Sequence, residues 1–427
     1  MRIALVTPLF PTSAEPYRGN PIYQTALALQ RWAEVEVFCP LEKYPRWEFL
    51  RPRDTRYNRV DLSYSPVGVS THYFEFPCLP LISRPFNGRI CARGLFPYLE
   101  RYRPDVVLSY WIYPQGYAAL VSAKKLGIPV IVGSRGSDLR FITDPLTRRM
   151  VKHTLRDASF VLTVSEDLRG KAILMGASPQ KVRTLSNACD SSVFYLTERL
   201  PARRELGIAG DAELILFVGW IAQLKGVCDL LEAVEALLPT HPRLQLRLIG
   251  EGILQETLSK RSAEGILAGH VQLLGSRTAR EIARWLAAAN LLCLPSYSEG
   301  CPNVVIEALS CGRPVVGSNV GGMPELLNSQ CGVLFPPGDV SLLCNALEDA
   351  FRKPWNEAAI ASQFGRSWED LAKETYEVCC AVLSGKGDPP ECALHRHSSR
   401  NSPLEPGGNA QKVFESRTKH HLQRSSG

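Results

Sequence analysis

The chain has 427 residues, of which 45% are hydrophobic and 21% are charged, so its composition is that of a globular protein with two or three domains. This composition excludes collagen-like, coiled-coil and wholly disordered chains, and no apolar run reaches the 18 residues of a transmembrane helix. The formal net charge of +7 is modest and scattered, and without a basic stripe interleaved with aromatic residues it does not indicate nucleic-acid binding.

The cysteines indicate a reducing environment. There are 13 of them, an odd number, and none forms a C-x-x-C pair, which predicts buried thiols rather than disulfides or a zinc site. The segment from Met1 to Pro11 predicts a β-strand and not a signal peptide, because prolines interrupt its short apolar run. These features together predict a cytoplasmic protein without a bound metal.

Short, β-branched apolar runs alternate with amphipathic stretches along the chain, as expected for strands that are covered on both faces. The first series of predicted strands is Arg2–Val6, Val35–Phe38, Val106–Tyr110, Val130–Val132, Phe160–Val164 and Val182–Leu185. The second series is Leu214–Val218, Gln245–Ile249, Val271–Leu274, Leu291–Leu294, Val315–Gly317 and Val333–Phe335. Strands that alternate with helices predict parallel sheets and therefore an α/β fold.

Two such series predict two Rossmann-like domains in tandem, residues 1–198 and 199–365, with the polar stretch Tyr195–Gly210 at the boundary. A helix over 366–384 is predicted to pack back across them. The composition of residues 385–427, rich in Pro, Gly, Ser, His and Arg, predicts a disordered tail.

An irregular, basic and aromatic insertion is predicted between Glu42 and Arg84. It could contact an anionic membrane surface or form a solvated lid, and both alternatives stay open. The residues that suggest the membrane contact are Tyr44, Arg46, Trp47, Phe49, Arg51 and Arg53.

The most informative segment is Ser296–Gly317. It begins where a predicted strand ends, Pro302 suits the first turn of a helix, and Gly312 suits the end of that helix. Glu299 and Glu307 are therefore placed at the carboxyl edge of a parallel sheet, where ligands bind, and helix N–H groups there favour a phosphate. Either glutamate alone could be a solvated surface residue. The neighbours of Glu307 are apolar, however, and a carboxylate in apolar surroundings needs a specific partner.

This segment resembles the donor-site signature of glycosyltransferase family 4, a group of retaining, nucleotide-sugar-dependent enzymes with the GT-B fold. The match is a Glu-x7-Glu spacing within Pro-Ser-x-x-Glu-Gly-x-Pro-Asn-Val-Val-x-Glu, followed by Gly321–Leu326, which also fits the family pattern. In element order the resemblance extends from Arg2 to about Leu383. It implies two Rossmann-like domains that face a central cleft, and transfer of a sugar from a nucleotide-diphosphate sugar to another molecule.

The resemblance also implies which residues bind the donor. Glu307 would accept hydrogen bonds from the ribose, Glu299 would hold the sugar hydroxyls, and Lys225 would neutralise the diphosphate. Lys225 opposes the dipole of the helix that it starts, which favours a functional reason for it, whereas Trp220 stands where the family commonly has an arginine. The full predicted donor set is Gly19, Gly219, Lys225, Gly250, Glu299, Gly300, Cys301, Pro302, Asn303 and Glu307.

Two loops of the first domain resemble further family motifs. The run Gly133–Asp138 resembles a His-Gly-Ser-Asp turn in which Arg135 replaces the histidine; a guanidinium suits a phosphate but cannot act as a base. Arg135 joins Glu299 and Lys225 as a predicted catalytic residue. The run Trp111–Gly116 resembles polysaccharide-type members and suggests cell-surface polysaccharide assembly on a glycan or lipid-linked acceptor. The predicted acceptor-side residues are Trp111, Tyr113 and Asp138, although Asp138 fits a helix-capping role equally well.

The expected chemistry is metal-independent and uses no cofactor besides the nucleotide sugar, because no Asp-x-Asp pair stands at a strand end. The resemblance implies a front-face attack in which the leaving phosphate takes the acceptor's proton. Two alternatives stay open: an epimerase or phosphorylase on the same fold, and a nucleotide-sugar-binding protein without turnover, which Trp220 and Arg135 motivate. The expected location is cytoplasmic, with possible peripheral attachment to the inner face of the membrane.

Overall fold

The computed structural model describes residues 1–45, 60–79, 83–140, 142 and 144–385. It divides into two compact units: Met1–Ala188 together with the segment that begins at Trp368, and Cys189–Ser367. Five of the six residues that suggested a membrane contact lie outside the described residues: Arg46, Trp47, Phe49, Arg51 and Arg53. The predicted disordered tail after residue 385 also lies outside them.

The first unit is built on a seven-stranded parallel sheet with the order β3-β2-β1-β4-β5-β6-β7. Its strands are β1 Arg2–Val6, β2 Glu34–Lys43, β3 Thr71–Pro77, β4 Val106–Tyr110, β5 Val130–Ser134, β6 Phe160–Thr163 and β7 Val182–Thr184. Its helices are α1 Asn20–Leu29, α2 Asn87–Tyr102, α3 Tyr117–Leu126, α4 Ser137–Arg140, α5 Pro145–Asp157, α6 Glu166–Leu174 and, from the end of the chain, α15 Trp368–Leu383. The central strands β1, β4 and β5 are buried almost throughout, as their continuous apolar runs predicted.

The prediction of an irregular stretch throughout Glu42–Arg84 is wrong over Thr71–Pro77, which forms the edge strand β3 and pairs in parallel with β2. Phe74 and Phe76 are buried on either side of the exposed Glu75. This alternation is typical of a strand that has one wet face, and Pro77 is tolerated at its end. The sequence signal for this strand was an alternation of buried and exposed residues with a period of two, and not a continuous apolar run.

The second unit contains a six-stranded parallel sheet with the order β10-β9-β8-β11-β12-β13. Its strands are β8 Glu213–Val218, β9 Leu244–Ile249, β10 Val271–Gly275, β11 Leu291–Leu294, β12 Val315–Ser318 and β13 Gly332–Phe335. Its helices are α7 Arg199–Leu206, α8 Val227–Leu237, α9 Gln255–Ser262, α10 Ala279–Ala288, α11 Asn303–Ser310, α12 Met323–Leu326, α13 Val340–Arg352 and α14 Glu357–Gln363. Two parallel sheets with helices confirm the predicted class of two Rossmann-like domains.

In both sheets the strand order reverses at one point, between β1 and β4 in the first unit and between β8 and β11 in the second. Loops that leave the carboxyl ends of two such strands diverge to opposite faces of the sheet. They leave a crevice at that edge, which is the usual ligand position in open α/β sheets.

The last helix, α15, packs into the core of the first unit. Trp368, Leu371 and Val378 are buried in the same apolar cluster as Ile22 of α1. An ion pair of 2.6 Å between Arg31 and Glu369 lies on the outside of this contact. Within residues 1–45, 60–79, 83–140, 142 and 144–385, no helix is both long and apolar enough to cross a membrane.

A buried ion pair joins distant segments of the second unit. The fully buried guanidinium of Arg313 lies 2.6 Å from Oε1 of Glu357 at the start of α14. It also donates a 2.9 Å hydrogen bond to the carbonyl of Thr197, just before α7. Burial lowers the pKa of Arg313, and the nearby carboxylate opposes that shift. The pair therefore depends on its counter-charge to remain favourable.

Candidate functional site

The principal site of the second unit lies at the carboxyl ends of β8 and β11, where the strand order reverses. The loop after β8 carries Lys225 and the loop after β11 carries Glu299. Nζ of Lys225 donates to Oε1 of Glu299 at 2.6 Å, and Oγ of Ser296 donates to the same oxygen at 2.7 Å. The sequence therefore identified two side chains that the fold brings into direct contact across 74 positions.

Glu299 is 8% exposed, and both hydrogen bonds that fix it reach one oxygen of its carboxylate. Within the described part of the chain, the other oxygen, Oε2, has no hydrogen-bond donor, so it can accept one from a ligand. Ser296 was not singled out from the sequence, although it stands inside the motif that was. Its position three residues before a glutamate at a strand end was the available signal.

Two contacts hold the loops after β8 and β11 together. The backbone N–H of Tyr297 donates to the carbonyl of Leu224 at 2.9 Å. The hydroxyl of Tyr297 donates to Oδ2 of Asp229 at 2.7 Å, and both of these side chains are buried. Gly226 lies where the two loops approach each other most closely. Its φ is +67°, and a Cβ there would overlap the carbonyl oxygen of Pro295. The geometry of the Lys225–Glu299 pair thus depends on residues behind it that no motif indicated.

Glu307 lies on α11, the helix that follows the loop of Glu299. It is half-buried, and its carboxylate forms no hydrogen bond or ion pair with any residue that the structure describes. Burial raises its pKa to about 7. Its charge in turn contributes to the raised pKa of the Cys189 and Cys311 thiols. A carboxylate in such surroundings gains most from hydroxyl donors that a ligand supplies.

The amino terminus of α11 points its N–H groups to the same edge of the sheet. Pro302 occupies the N-cap position and Asn303 begins the helix, and no described side chain caps it. Gly300 accepts a 3.1 Å hydrogen bond from the N–H of Gly322, which anchors the loop before the helix. Cys301 is half-exposed beside it. Uncapped N–H groups at a helix start attract an anion.

Gly219 and Gly250, both predicted near the nucleotide, lie against each other at the ends of β8 and β9. The N–H of Gly219 donates to the carbonyl of Ile249 at 3.0 Å. Gly250 has a φ of +133°, and a Cβ there would overlap the carbonyl oxygen of Gly219. Trp220, the departure from the family pattern, follows directly and is 40% exposed.

In the first unit, Asp138 joins the loops that follow β4 and β5. Its Oδ1 accepts hydrogen bonds from Oγ of Ser134 at 2.8 Å and from the N–H of Gly136 at 3.1 Å. Its Oδ2 accepts one from the N–H of Ile112 at 3.2 Å. Burial raises the pKa of Asp138, and these donors oppose the rise. Its carboxylate therefore shapes the two loops.

The acceptor-side candidates Trp111 and Tyr113 differ in the exposure of their side chains. Trp111 is half-buried and has a φ of 134°, a strained value for a residue with a side chain. The hydroxyl of Tyr113 donates to the carbonyl of Arg84 at 2.7 Å and accepts the N–H of Gly88 at 3.2 Å. The Tyr113 side chain is thus buried against the start of α2, whereas Trp111 keeps an accessible surface.

Arg135 directly follows β5 and contacts Tyr110 and Asn187. Its guanidinium lies 4.5 Å from the ring centroid of the buried Tyr110, and Nη1 donates to Oδ1 of Asn187 at 2.9 Å. Asn187 lies shortly after β7, the last strand of the first unit's sheet. Tyr110 was missed as a site residue, because a tyrosine that ends an apolar strand has the pattern of a core residue. Gly19, the remaining predicted donor residue, has a φ of +63° directly before α1, and a Cβ there would overlap the carbonyl oxygen of Leu9.

In the ranges that the structure describes, no group of three or more His, Cys, Asp or Glu side chains is arranged to hold a metal ion.

Two family models match the chain and together span most of it. The model described as "Glycosyl transferase 4-like domain" matches residues 20–188, which is largely the first unit. The model described as "Glycosyl transferases group 1" matches residues 212–353, which contain the Lys225–Glu299 pair and Glu307.

Curated relatives are similar over most of their length. TuaC of Bacillus subtilis, a glycosyltransferase assigned provisionally to teichuronic acid biosynthesis, is 27% identical over 361 residues, 81% of this chain and 88% of TuaC. A D-inositol 3-phosphate glycosyltransferase of a Nocardioides species is 30% identical over 307 residues, 64% of this chain and 66% of that protein.

Solved structures share the architecture at lower identity. The sucrose-phosphate synthase of Thermosynechococcus elongatus superposes with a TM-score of 0.71 at 19% identity, covering 90% of this chain and 100% of that one. HepE of Anabaena in complex with UDP superposes with a TM-score of 0.65 at 18% identity, covering 90% of this chain and 98% of that one. These likenesses confirm the fold alone.

Proposed function

Because the chain belongs to the GT-B glycosyltransferases of the family 4 type, we propose that it transfers a sugar from a nucleotide-diphosphate sugar, with retention of configuration, to a glycan or lipid-linked acceptor. The observation that carries this proposal is the arrangement at the carboxyl ends of β8 and β11, where the strand order of the second unit reverses. There the buried Glu299, bound by Lys225, precedes the start of α11, which no described side chain caps. The half-buried Glu307 follows inside the helix and has no partner among the described residues.

Glu307 binds the ribose of the donor in this proposal. Its support is that the half-buried carboxylate lacks a donor among the described residues and has a pKa of about 7. Two ribose hydroxyls would satisfy both of its oxygens and remove the cost of burying them unpaired. Gly219 and Gly250 lie next to this site at the ends of β8 and β9, and Gly250 allows that packing because a Cβ there would overlap the carbonyl oxygen of Gly219.

Lys225 and the backbone N–H groups at the start of α11 stabilise the diphosphate as it leaves. These N–H groups lie on either side of Pro302, from Cys301 and from Asn303 onward, since proline has no N–H of its own. These charges and dipoles are fixed before the reaction, so they lower the transition-state energy without reorganisation. Glu299 orients the Lys225 ammonium through one oxygen and can hold a sugar hydroxyl through the other. We expect no metal requirement, because one ammonium and one helix terminus supply the positive potential.

The proposed reaction breaks the bond between the anomeric carbon and the diphosphate oxygen. The acceptor oxygen bonds to the same face of that carbon, and its proton passes to the leaving phosphate, so configuration is retained. Arg135 contributes a fixed cation and not a base, since guanidinium does not lose its proton. In the first unit, Trp111 is the acceptor-side contact that we propose, and Asp138 and Tyr113 shape the loops around it.

The acceptor class rests on two supports. The run from Trp111 to Gly116 resembles polysaccharide-type members, and the relative TuaC is assigned provisionally to teichuronic acid biosynthesis. We therefore propose a role in cell-surface polysaccharide assembly, at the cytoplasmic side of the membrane.

The test is release of nucleoside diphosphate from a panel of UDP-, GDP- and ADP-sugars, with and without EDTA. We expect release from one donor, insensitive to EDTA and lost in Lys225→Ala and Glu307→Ala. The matched control Lys260→Ala, an exposed lysine of α9 in the same unit, should behave as wild type. Sensitivity to EDTA would contradict the metal-free mechanism.

The departures at Trp220 and Arg135 favour a second candidate, a nucleotide-sugar-binding protein without turnover. Thermal stabilisation by a nucleotide without release of nucleoside diphosphate, even when candidate glycan acceptors are added, would support that alternative and contradict transfer. If no donor stabilises the protein and no donor yields nucleoside diphosphate, both candidate functions are contradicted.

A further inference from the structure

We propose that the first unit carries a docking surface for an anionic lipid bilayer, formed by the exposed face of α5 and the end of α6. The two helices enclose a cleft of about 380 Å³, called here the basic cleft. Its lining residues are Arg149, Met150, Lys152, His153, Arg156, Leu174, Met175 and Gly176. The inference rests on the proposed function only for its purpose, because a lipid-linked acceptor lies at a bilayer.

The titratable side chains that line the basic cleft are all basic. Arg149 and Lys152 are exposed, and neither forms an ion pair with a residue that the structure describes. Asp157 is the neighbouring carboxylate: it pairs with Arg156 at 2.7 Å and lies 3.8 Å from His153. Among the described residues, at least two cations are therefore left without a counter-charge, and phosphate headgroups would supply it.

Local helix energetics do not account for this charge. α5 begins at the N-cap Asp144, whose side chain accepts from the N–H of Thr147 at 2.6 Å. A cation in the last turn of a helix is favoured by the dipole, but Arg149 and Lys152 lie in earlier turns. The charge is a property of the whole exposed face of the helix.

Aliphatic side chains exposed beside these cations favour a bilayer over a soluble polyanion or a nucleic acid. Leu174 at the end of α6 is 85% exposed, and Leu146 in the first turn of α5 is 56% exposed. Neither can stack on a base or bind a phosphate, but both can enter the acyl boundary while the cations bind headgroups. An exposed apolar side chain beside a basic helix face is typical of interfacial binding.

Of the residues that line the basic cleft, His153 contacts the ring of Tyr117, directly after the Trp111–Gly116 loop, with the ring centroids 5.6 Å apart, whereas Arg149, Lys152 and Arg156 are exposed. α5 leads into the start of β6, and α6 leads to the start of β7, so both helices end at the amino edge of the sheet. The loops that carry Trp111 and Arg135 leave the opposite, carboxyl edge. Neutralising the exposed cations Arg149, Lys152 and Arg156 should therefore not affect donor hydrolysis.

Vesicle co-sedimentation of the full chain tests this inference, with phosphatidylcholine vesicles that contain or lack phosphatidylglycerol. One triple variant neutralises the cleft: Arg149→Gln, Lys152→Gln and Arg156→Gln. A charge-matched control neutralises three exposed cations of the second unit: Arg243→Gln, Lys260→Gln and Arg352→Gln. Thermal melting and nucleoside diphosphate release are measured on the same samples, so a failed donor assay and a failed docking assay are separate results.

We expect binding only to vesicles with phosphatidylglycerol, lost at about 1 M salt, where the screening length falls to about 3 Å. Each surface cation contributes a factor of about five, so the cleft variant should bind roughly a hundredfold more weakly and the control nearly as wild type. Leu174→Gln should weaken binding about tenfold at unchanged charge.

Equal loss in the two triple variants would overturn the inference, because it would show attraction by net charge alone. Binding of inorganic polyphosphate at the basic cleft without any binding to vesicles would assign the site to a soluble anion and would also overturn it. An unchanged affinity in Leu174→Gln would refute insertion into the acyl boundary.

Discussion

Binding of the donor nucleotide is expected to release a proton from Glu307 near neutral pH. In the free protein this half-buried carboxyl has no hydrogen-bond partner among the described residues, and burial raises its pKa to about 7. Ribose hydroxyls that donate to the carboxylate favour its charged form and lower the pKa in the complex. The donor should therefore bind best above pH 7 and lose affinity as the pH falls below it.

The size of the effect follows from proton linkage. If the pKa of Glu307 returns in the complex to its ordinary value of 4.5, the dissociation constant should be about 25-fold larger at about pH 5.5 than at about pH 8. This ratio corresponds to about 2 kcal/mol of binding free energy.

The raised pKa also affects the free protein. Its contribution to folding stability is fully present below pH 4.5 and is lost as the pH rises through about 7. Glu307→Gln should therefore raise the free energy of unfolding at about pH 8, by the order of 1–3 kcal/mol after allowance for partial exposure, and leave it little changed at about pH 4.

Isothermal titration calorimetry of the nucleotide sugar measures the binding effect, in two buffers of different ionisation enthalpy. The wild-type protein should release up to one proton per donor bound between about pH 5.5 and 7. Glu307→Gln should bind more weakly, release none and show a flat profile, which also subtracts any titration of the ligand. A flat wild-type profile, or the same slope in the variant, would refute the reasoning.

Three further changes test the framework behind the site by urea unfolding and transfer assays. Gly226→Ala should cost about 3 kcal/mol or more and abolish transfer, because its Cβ meets a carbonyl oxygen, whereas Gly207→Ala, with a similar φ of +66° but open space, should cost about 1–2 kcal/mol. Tyr297→Phe should cost about 1.5–3 kcal/mol and lower kcat more than it raises KM, since it loosens the loops that position the site; a wild-type kcat would contradict this. Glu357→Gln should cost about 3–5 kcal/mol by leaving the buried Arg313 without its counter-charge, and added Arg313→Met should recover most of that loss; no recovery would contradict a charge-burial cost.

Most strands of both sheets were predictable because burial on both faces leaves a local pattern in the sequence, a short run made up mainly of apolar residues. The edge strand Thr71–Pro77 was not predicted, since one wet face replaces that pattern with weak alternation in a stretch rich in prolines and charges. The last helix was predicted from its own periodicity. Its burial in the first unit was not encoded locally, because Trp368 follows the second unit in the sequence.

The candidate site likewise combines features that the sequence predicted with features that it did not. The spacing from Glu299 to Glu307 and the position of Lys225 after a strand were visible because motif and strand end are both local. The pairing of Lys225 with Glu299 spans 74 positions and appears only when β8 and β11 become neighbours. The buried bond from Tyr297 to Asp229 had no sequence signal, since neither residue is unusual in its own segment.

Sequence alone predicts the alternation of strands and helices, the family resemblance and the chemical types present at the strand ends, because each depends on residues within one turn or one loop of each other. The fold sets what those groups contact. It leaves Glu307 without a described partner, holds Glu299 through one oxygen, commits the Tyr113 hydroxyl to the backbone and places uncompensated cations beside an exposed Leu174. Hydrogen bonding, desolvation and exposure depend on which surfaces meet in space, and strand order sets those meetings across distances in sequence that no local pattern spans.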